Sequence, residues 1–149
     1  MKILASVLFC LFVGAACFAQ NKGFENIRYI EQPSNGLVRL QVNGYGKNVK
    51  DCIEDAQKNA FRVLLYRGIP ESPASTPLIA GDVTGEHMDQ KISSFFNDAT
   101  YRRFITRIAQ FSKLQRSKLG KSVLMDMDID YNAFRSYLEQ IGVIRKFGY

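Results

Sequence analysis

The stretch Val42–Phe61 reads VNGYGKNVKDCIEDAQKNAF, and it decides the fold because a strand pattern ends in it and a helix pattern begins. Apolar and polar residues alternate from Leu37 to Asn43, which predicts a half-buried strand. Gly44 and Gly46 follow, and glycine allows backbone angles that other residues rarely adopt. We therefore interpret the two glycines as a joint between a strand and a helix.

The same residues are superficially similar to a phosphate-binding loop, because two glycines precede Lys47 at the start of a helix. A P-loop needs a longer gap between its glycines and a Ser or Thr after its lysine, whereas Asn48 stands there in this chain. The dinucleotide fingerprint needs a third glycine near Val49, which is absent. We expect no nucleotide cofactor here, although some affinity for an anion at the helix N-terminus stays open.

The helix after the joint is amphipathic and carries end signals. Asn48 can accept a backbone N–H of the first turn as an N-cap, and Asp51 suits the positive end of the helix dipole. Gly68 is a typical stop. The predicted apolar face consists of Val49, Cys52, Ile53, Ala56, Ala60, Val63 and Leu64.

The segment Ile69–Glu86 holds three of the chain's four prolines. A long loop in a small domain is uncommon and is often a binding loop or a mobile excursion. We expect its Pro77-Leu78-Ile79 end to dock on the core, and we expect the loop to meet a partner together with basic residues further along the chain. The candidate contact residues are Pro70, Pro73, Pro77, Leu78, Ile79, Arg102, Arg103 and Arg107.

The second half of the chain predicts a short helix at His87–Thr100. It then predicts a strand with a bulge or twist within Tyr101–Lys118, with a helical start through Arg107 as the alternative. A clearly alternating strand, Val123–Ile129, pairs with it as an antiparallel hairpin of unknown register. Asp130 is placed to cap a final helix that ends at Gly142. The order β-α-(loop, α)-β-β-α predicts an α+β domain over 37–149, with helices packed on one face of a mainly antiparallel sheet, after a lead-in segment at 20–36.

No catalytic constellation or metal site emerges from the sequence, so we expect neither an enzyme nor a cofactor. Asp126, Asp128 and Asp130 are spaced like the start of an EF-hand loop, but the glycine and glutamate that such a loop requires are missing. We interpret them as a solvated strand face opposite Lys113 or Arg107, and a loose divalent-cation site is the alternative. The single histidine, His87, has no neighbours that would make a catalytic triad or a zinc site.

The segment Met1–Ala19 is typical of an export signal, with Lys2 before an apolar run and small residues before a cleavage point. Cleavage after Ala19 gives a secreted chain, and lipidation of Cys17 is the alternative, which would tether the domain to a membrane. Without lipidation only Cys52 remains, so no disulfide can form within the chain, and we expect Cys52 to be buried as a small apolar residue.

Several motifs together give the chain a resemblance to known proteins. The chain resembles small, largely uncharacterised exported α+β proteins of Bacteroidota. The motifs that carry this resemblance are GYGKNVKDCIEDAQKNAFRVLLYRGIP, then PLI, FFND and YRRFI, and the ending DMDIDYNAFRSYLEQIGVIRKFG. A more remote similarity is to the N-terminal domain of flagellar assembly protein FlgT and related small outer-membrane lipoproteins. It rests on GYG, on Asp55-Ala56 and Asn59-Ala60 on a helix, and on the hairpin and helix that follow. That resemblance implies a structural or assembly role.

These observations predict a non-enzymatic, exported interaction or assembly module, in the periplasm or associated with the outer membrane, with an envelope protein as partner. The net charge of +6 is consistent with weak attraction to anionic envelope surfaces, and we expect no nucleic-acid partner. The alternative is a small-ligand-binding protein or hydrolase with a pocket under the 69–86 loop, ringed by Asp82, His87 and Asp98. A homo-oligomer paired through the edge of the Leu37–Tyr45 strand also remains open.

Overall fold

A computed structural model describes residues 27–79, 86–110 and 112–146. The proposed export signal, Cys17 and residues 80–85 of the Pro-rich loop lie outside the described residues. The elements in chain order are β1 (Ile27–Glu31), β2 (Leu37–Gly46), α1 (Val49–Tyr66), α2 (Glu86–Asn97), a 3₁₀ helix (Thr100–Phe104), β3 (Ile105–Gln110), β4 (Gln115–Ser117), β5 (Gly120–Asp130) and α3 (Tyr131–Gln140). The predicted α+β fold is confirmed.

The sheet is antiparallel, with strand order β1-β2-β5-β3, and β4 pairs with the first residues of β5 on the side of β3. The long strands β2 and β5 pair without a shift, from Leu37 opposite Asp130 to Gly46 opposite Lys121. The alternation in both strands is confirmed, because one face is buried under α1 and the other is polar. The buried face consists of Val38, Leu40, Val42, Val123, Met125, Met127 and Ile129.

The first strand, β1, was not predicted from the sequence. Residues 27–31 were assigned to a lead-in, but they pair with β2 and belong to the sheet. The strand lies at an edge and is at most half-buried, so its short IRYIE pattern carries little alternation. Its pairing also makes β2 an internal strand. The middle of the edge expected along Leu37–Tyr45, from Arg39 to Val42, is therefore already paired within the chain, and the outer strands of the main path are β1 and β3. Pairing with a second copy stays a prediction.

The region predicted as one strand within Tyr101–Lys118 is divided into three elements: the 3₁₀ helix, β3 and β4. The predicted bulge is present, because the pairing of β3 with β5 shifts between Ile105 and Arg107. The 3₁₀ helix agrees with the alternative of a helical start, although it ends at Phe104 and not at Arg107. It brings Tyr101 and Phe104 into the core, where both are at least nine-tenths buried.

An aromatic cluster joins the helices on the buried side of the sheet. Phe61 of α1 contacts the rings of Phe95, Tyr101, Phe104 and Phe134, with centroids 4.9 to 6.4 Å apart. Contacts of this kind add about 0.5–1.5 kcal/mol each beyond the burial of apolar area. The cluster fixes α2, the 3₁₀ helix and α3 beside α1 and leaves the polar face of the sheet free of these helices.

Candidate functional site

The two glycines of the joint are required by the close approach of α1 to β2. A Cβ at Gly44 would lie 1.9 Å from the carbonyl oxygen of Cys52, and one at Gly46 would lie 2.5 Å from the Cβ of Asp51. Ala56, which is fully buried, faces Gly44 from the helix. Both glycines lie in the last residues of β2, and neither has a positive φ, so the expected need for unusual backbone angles is wrong. They join strand and helix for a different reason: without a side chain they let α1 lie close to β2.

The backbone donors of the joint bind carboxylates of α1. The Tyr45 N–H donates to Asp55 Oδ2 at 2.9 Å, and the Lys47 N–H donates to Asp51 Oδ2 at 3.3 Å. The Asn48 side chain caps the helix by accepting from the Asp51 N–H at 3.0 Å, as predicted. A phosphate-binding loop leaves such amides free for the anion. Here the chain's own acidic side chains occupy them.

The described part of the Pro-rich loop is packed onto the end of α1. The Leu78 N–H donates to Leu64 O at 3.1 Å, and the Ile79 N–H donates to Leu65 O at 2.8 Å. Leu78 and Ile79 also contact the core, which confirms that this end of the loop docks. Pro77 is half-buried, whereas Pro70 and Pro73 are exposed.

The candidate arginines lie on the 3₁₀ helix and on β3, outside the docked end of the loop. Arg102 Nη2 lies 3.6 Å from Glu54 Oε2, and Leu64, where the loop docks, is about 15 Å further along α1. Arg107 lies on β3, opposite Asp128. Arg103 is exposed on the 3₁₀ helix. Arg102 is therefore remote from the docked end of the loop, and the contact role of the loop and the three arginines stays a prediction.

The three aspartates of β5 have three separate roles. The prediction of a solvated acidic face is wrong for Asp128, which is buried, whereas Asp126 and Asp130 are half-buried. The expected cation Arg107 does lie opposite Asp128 on β3. Asp128 accepts two hydrogen bonds from the Arg39 guanidinium, at 2.6 and 2.8 Å, and its side chain is only 7% exposed. Arg39 also pairs with Glu31. The guanidinium of Arg39 holds the pKa of Asp128 below its usual range. Periodicity identified the polar face but could not reveal that Arg39 shields one carboxylate on it.

The other two aspartates bind elsewhere. Asp126 Oδ1 accepts from Gln41 Nε2 at 3.4 Å, and Asp130 Oδ1 accepts from the Ala133 N–H at 2.8 Å, so Asp130 caps α3 as predicted. Among residues 27–79, 86–110 and 112–146, no group of three or more His, Cys, Asp or Glu side chains is placed to hold a metal ion.

The polar ring proposed for a ligand pocket is not assembled. His87 and Asp98 are both exposed, and they lie at opposite ends of α2, about 16 Å apart along its axis. Asp82 lies outside the described residues. The described half of the loop instead fills its own interior, because Ile69 and Ala74 are buried and bond to each other, the Ile69 N–H donating to Ala74 O at 2.7 Å.

A groove of positive charge lies beside the joint, and we call it the basic groove. It is an open depression of about 580 Å³ where the start of α1 meets the hairpin of β4 and β5. Its floor includes Gly46 and Gly120, and the positive φ of +114° at Gly120 allows the tight turn into β5. The lining residues are Gly46, Lys47, Arg116, Ser117, Leu119, Gly120 and Lys121.

The charges of the basic groove are unbalanced. Arg116 and Lys121 are direct partners across the β4–β5 ladder, and like charges in that position destabilise a sheet. Lys47 and Lys118 add two more exposed cations nearby. In the part of the chain that the structure describes, none of these four side chains belongs to an ion pair.

The sequence reasoning missed this groove because it looked for consecutive basic residues. A different signal was present: residues 99–125 contain no Asp or Glu at all. Over the same span the basic residues are Arg102, Arg103, Arg107, Lys113, Arg116, Lys118 and Lys121. Lys47 could not have been added to the group from sequence, because the pairing of β2 with β5 brings it there.

No helix within the described ranges is both long enough and apolar enough to cross a membrane. Comparison with known proteins gives no name for the fold or the groove: the chain matches no protein-family model, no curated protein and no solved structure.

Proposed function

We propose that the chain is an exported, non-enzymatic interaction module of the bacterial cell envelope and that the basic groove is its contact surface for an anionic envelope component. The observation that carries the proposal is the direct pairing of Arg116 with Lys121, two cations held together without an acidic partner among the described residues.

The charge arrangement favours binding over a purely structural role. Elsewhere on β5 a cation is matched by a carboxylate, as in Arg39 with Asp128. At the hairpin the cations repel each other, which weakens the ladder slightly. An anionic partner relieves that repulsion on contact, and a cluster of one sign also attracts such a partner from a distance. An anionic partner therefore supplies the negative charge that the fold does not place beside Arg116 and Lys121.

The envelope location rests on sequence. Met1–Ala19 has the pattern of an export signal, and the resemblance to exported Bacteroidota proteins and to envelope assembly domains supports a role there. The fold supports the interaction role in a different way. The loop that the sequence favoured as the contact surface is packed in its described part, whereas the basic groove is open.

Binding to isolated cell envelopes tests the proposal. The chain without Met1–Ala19 is mixed with envelope preparations from the parent organism, and the bound fraction is measured against salt concentration. The variant R116Q/K121Q should lose most of the binding, and the wild type should lose it as salt rises. The variant R28Q/R103Q removes the same charge from exposed positions outside the groove and should bind like the wild type. Equal binding by both variants contradicts the proposal.

A further inference from the structure

We propose that the anionic component bound by the basic groove is the surface of a lipid bilayer, and that Leu119 inserts into it. The inference rests on the proposed function and names its partner. It is carried by one apolar side chain at the tip of the hairpin and by the cations that surround that side chain.

Binding of an anion by charge alone does not explain why the apolar side chain of Leu119 is exposed. It is 56% exposed, more than any other large hydrophobic residue recorded as exposed in the described part of the chain. It lies in the turn between β4 and β5, after Lys118 and before Gly120. Its N–H donates to Ser117 Oγ at 3.1 Å, so the turn has local order. An exposed leucine in an ordered, polar turn gains free energy by leaving water.

The cations form a collar behind that leucine. Arg116 and Lys121 sit one ladder step behind the turn, Lys118 precedes the leucine, and Lys47 faces them across the groove. In a bilayer, an apolar tip reaches the boundary of headgroups and acyl chains while basic residues stay at the level of the anionic headgroups. The hairpin has this order of apolar and basic groups along its length.

A bilayer fits the groove better than the other anionic partners. A free phosphate ion would use the cations and leave Leu119 in water. A protein interface of useful affinity usually has a contiguous apolar centre with aromatic anchors, and Leu119 is the one large apolar side chain among the groove's lining residues. A single apolar residue ringed by positive charge suits a partner that is fluid, negatively charged and apolar just below its surface.

Vesicle binding tests the inference. The probes are vesicles of phosphatidylethanolamine and phosphatidylglycerol in equal parts, and neutral vesicles of phosphatidylcholine. The wild type should sediment with the anionic vesicles only. R116Q/K121Q should bind roughly thirtyfold more weakly, and L119S roughly tenfold more weakly. The matched control is I30S, which removes another exposed aliphatic side chain, on β1, and should bind like the wild type.

Tryptophan fluorescence gives a direct reading of insertion, because the chain has no tryptophan. L119W places a single reporter at the tip, and its emission should shift to shorter wavelength with anionic vesicles and stay unchanged with neutral ones. I30W is the control and should not shift. Both substitutions are at exposed positions, and circular dichroism of each variant checks that the fold is retained.

The outcomes separate this inference from the proposed function. If envelope binding depends on Arg116 and Lys121 but the vesicles do not bind, the interaction module stands and the lipid partner is wrong. If L119S binds vesicles like the wild type and inorganic phosphate competes, the groove is only an anion site and insertion is wrong. If neither envelopes nor vesicles depend on the groove, both proposals fail.

Discussion

Two of the charged cross-strand pairs of strand β5 are opposites. Near its end, Asp128 lies across from Arg39, with two hydrogen bonds between the side chains and little exposed surface. At its start, Lys121 lies across from Arg116, both exposed and both positive. The first pair satisfies its own charges. The second has no counter-charge among the described residues.

The charge balance of the two pairs distinguishes the part of β5 that stabilises the fold from the part that is free to bind a partner. The Arg39–Asp128 pair lies in the centre of the sheet, between β2 and β5, where a lone charge would be costly. The Arg116–Lys121 pair lies at the tip, where repulsion is screened by water and weakens the fold only slightly. A sheet can therefore keep an unbalanced pair at its end for binding while its centre holds the register.

The largest effect should come from Gly44→Ala, which disturbs the joint on which the register of β2 and β5 depends. The new Cβ would lie 1.9 Å from the Cys52 carbonyl, a backbone atom that can move only with α1. We expect a loss of about 3 kcal/mol or more in the free energy of unfolding, measured in urea. Asn43→Ala, on the neighbouring residue, is the control and should cost less than about 1 kcal/mol. Similar losses for both would contradict the role of Gly44 as a contact position.

An intermediate effect is expected from Asp128→Asn, which breaks the balanced pair. The amide keeps the shape of the carboxylate but removes the charge that Arg39 binds, and we expect a loss of about 1–3 kcal/mol at neutral pH. The folded-state pKa of Asp128 is lowered by Arg39, so the unfolded chain binds the proton more readily. Its contribution is complete well above the ordinary pKa of about 3.9 and is lost as pH falls through the lower folded pKa.

Urea unfolding across that acid range measures this contribution. The wild type should lose stability more steeply than Asp128→Asn as the pH falls, so that the two curves converge at the acid end. Glu54, whose pKa is also lowered, is present in both chains and does not contribute to the difference. Parallel curves would show that the Arg39–Asp128 pair adds nothing to the pH dependence.

The smallest effect should come from Arg116→Glu, which converts the unbalanced pair into a balanced one. Glutamate opposite Lys121 replaces repulsion with attraction, and we expect a gain of about 0.5 kcal/mol. Binding to envelopes should fall at the same time, because the substitution lowers the positive charge of the groove by two. Arg103→Glu is the control for the change in net charge and should show neither effect. A less stable Arg116→Glu chain would mean that the hairpin cations do not repel each other.

Much of the fold could be predicted because local patterns and tertiary packing agree in it. The alternation in β2 and β5, the caps Asn48 and Asp130 and the apolar face of α1 all depend on residues close in sequence. The edge strand β1 could not be predicted in the same way, because it is held by its partner. The split of the Tyr101–Lys118 region also escaped prediction, since aromatic packing draws its first residues into the core.

The candidate site was less predictable than the fold because it is assembled across the sheet. Lys47 and Lys121 meet only through the register of β2 and β5, and the burial of Asp128 depends on Arg39 in the same way. The Pro-rich loop is recognisable in the sequence by its composition, whereas the residues of the groove form no local motif. The absence of acidic residues over 99–125 was the one local sign of it.

The buried position of Cys52 has a chemical consequence if the chain is exported, as we propose, to an oxidising compartment. The thiol has no exposed surface, burial raises its pKa, and it donates to the Lys121 carbonyl at 3.5 Å. Disulfide exchange requires a thiolate that a second sulfur can reach. Folding therefore protects this sulfur from cross-linking two molecules, and the same helix-on-strand contact that demands glycine at position 44 acts as its shield.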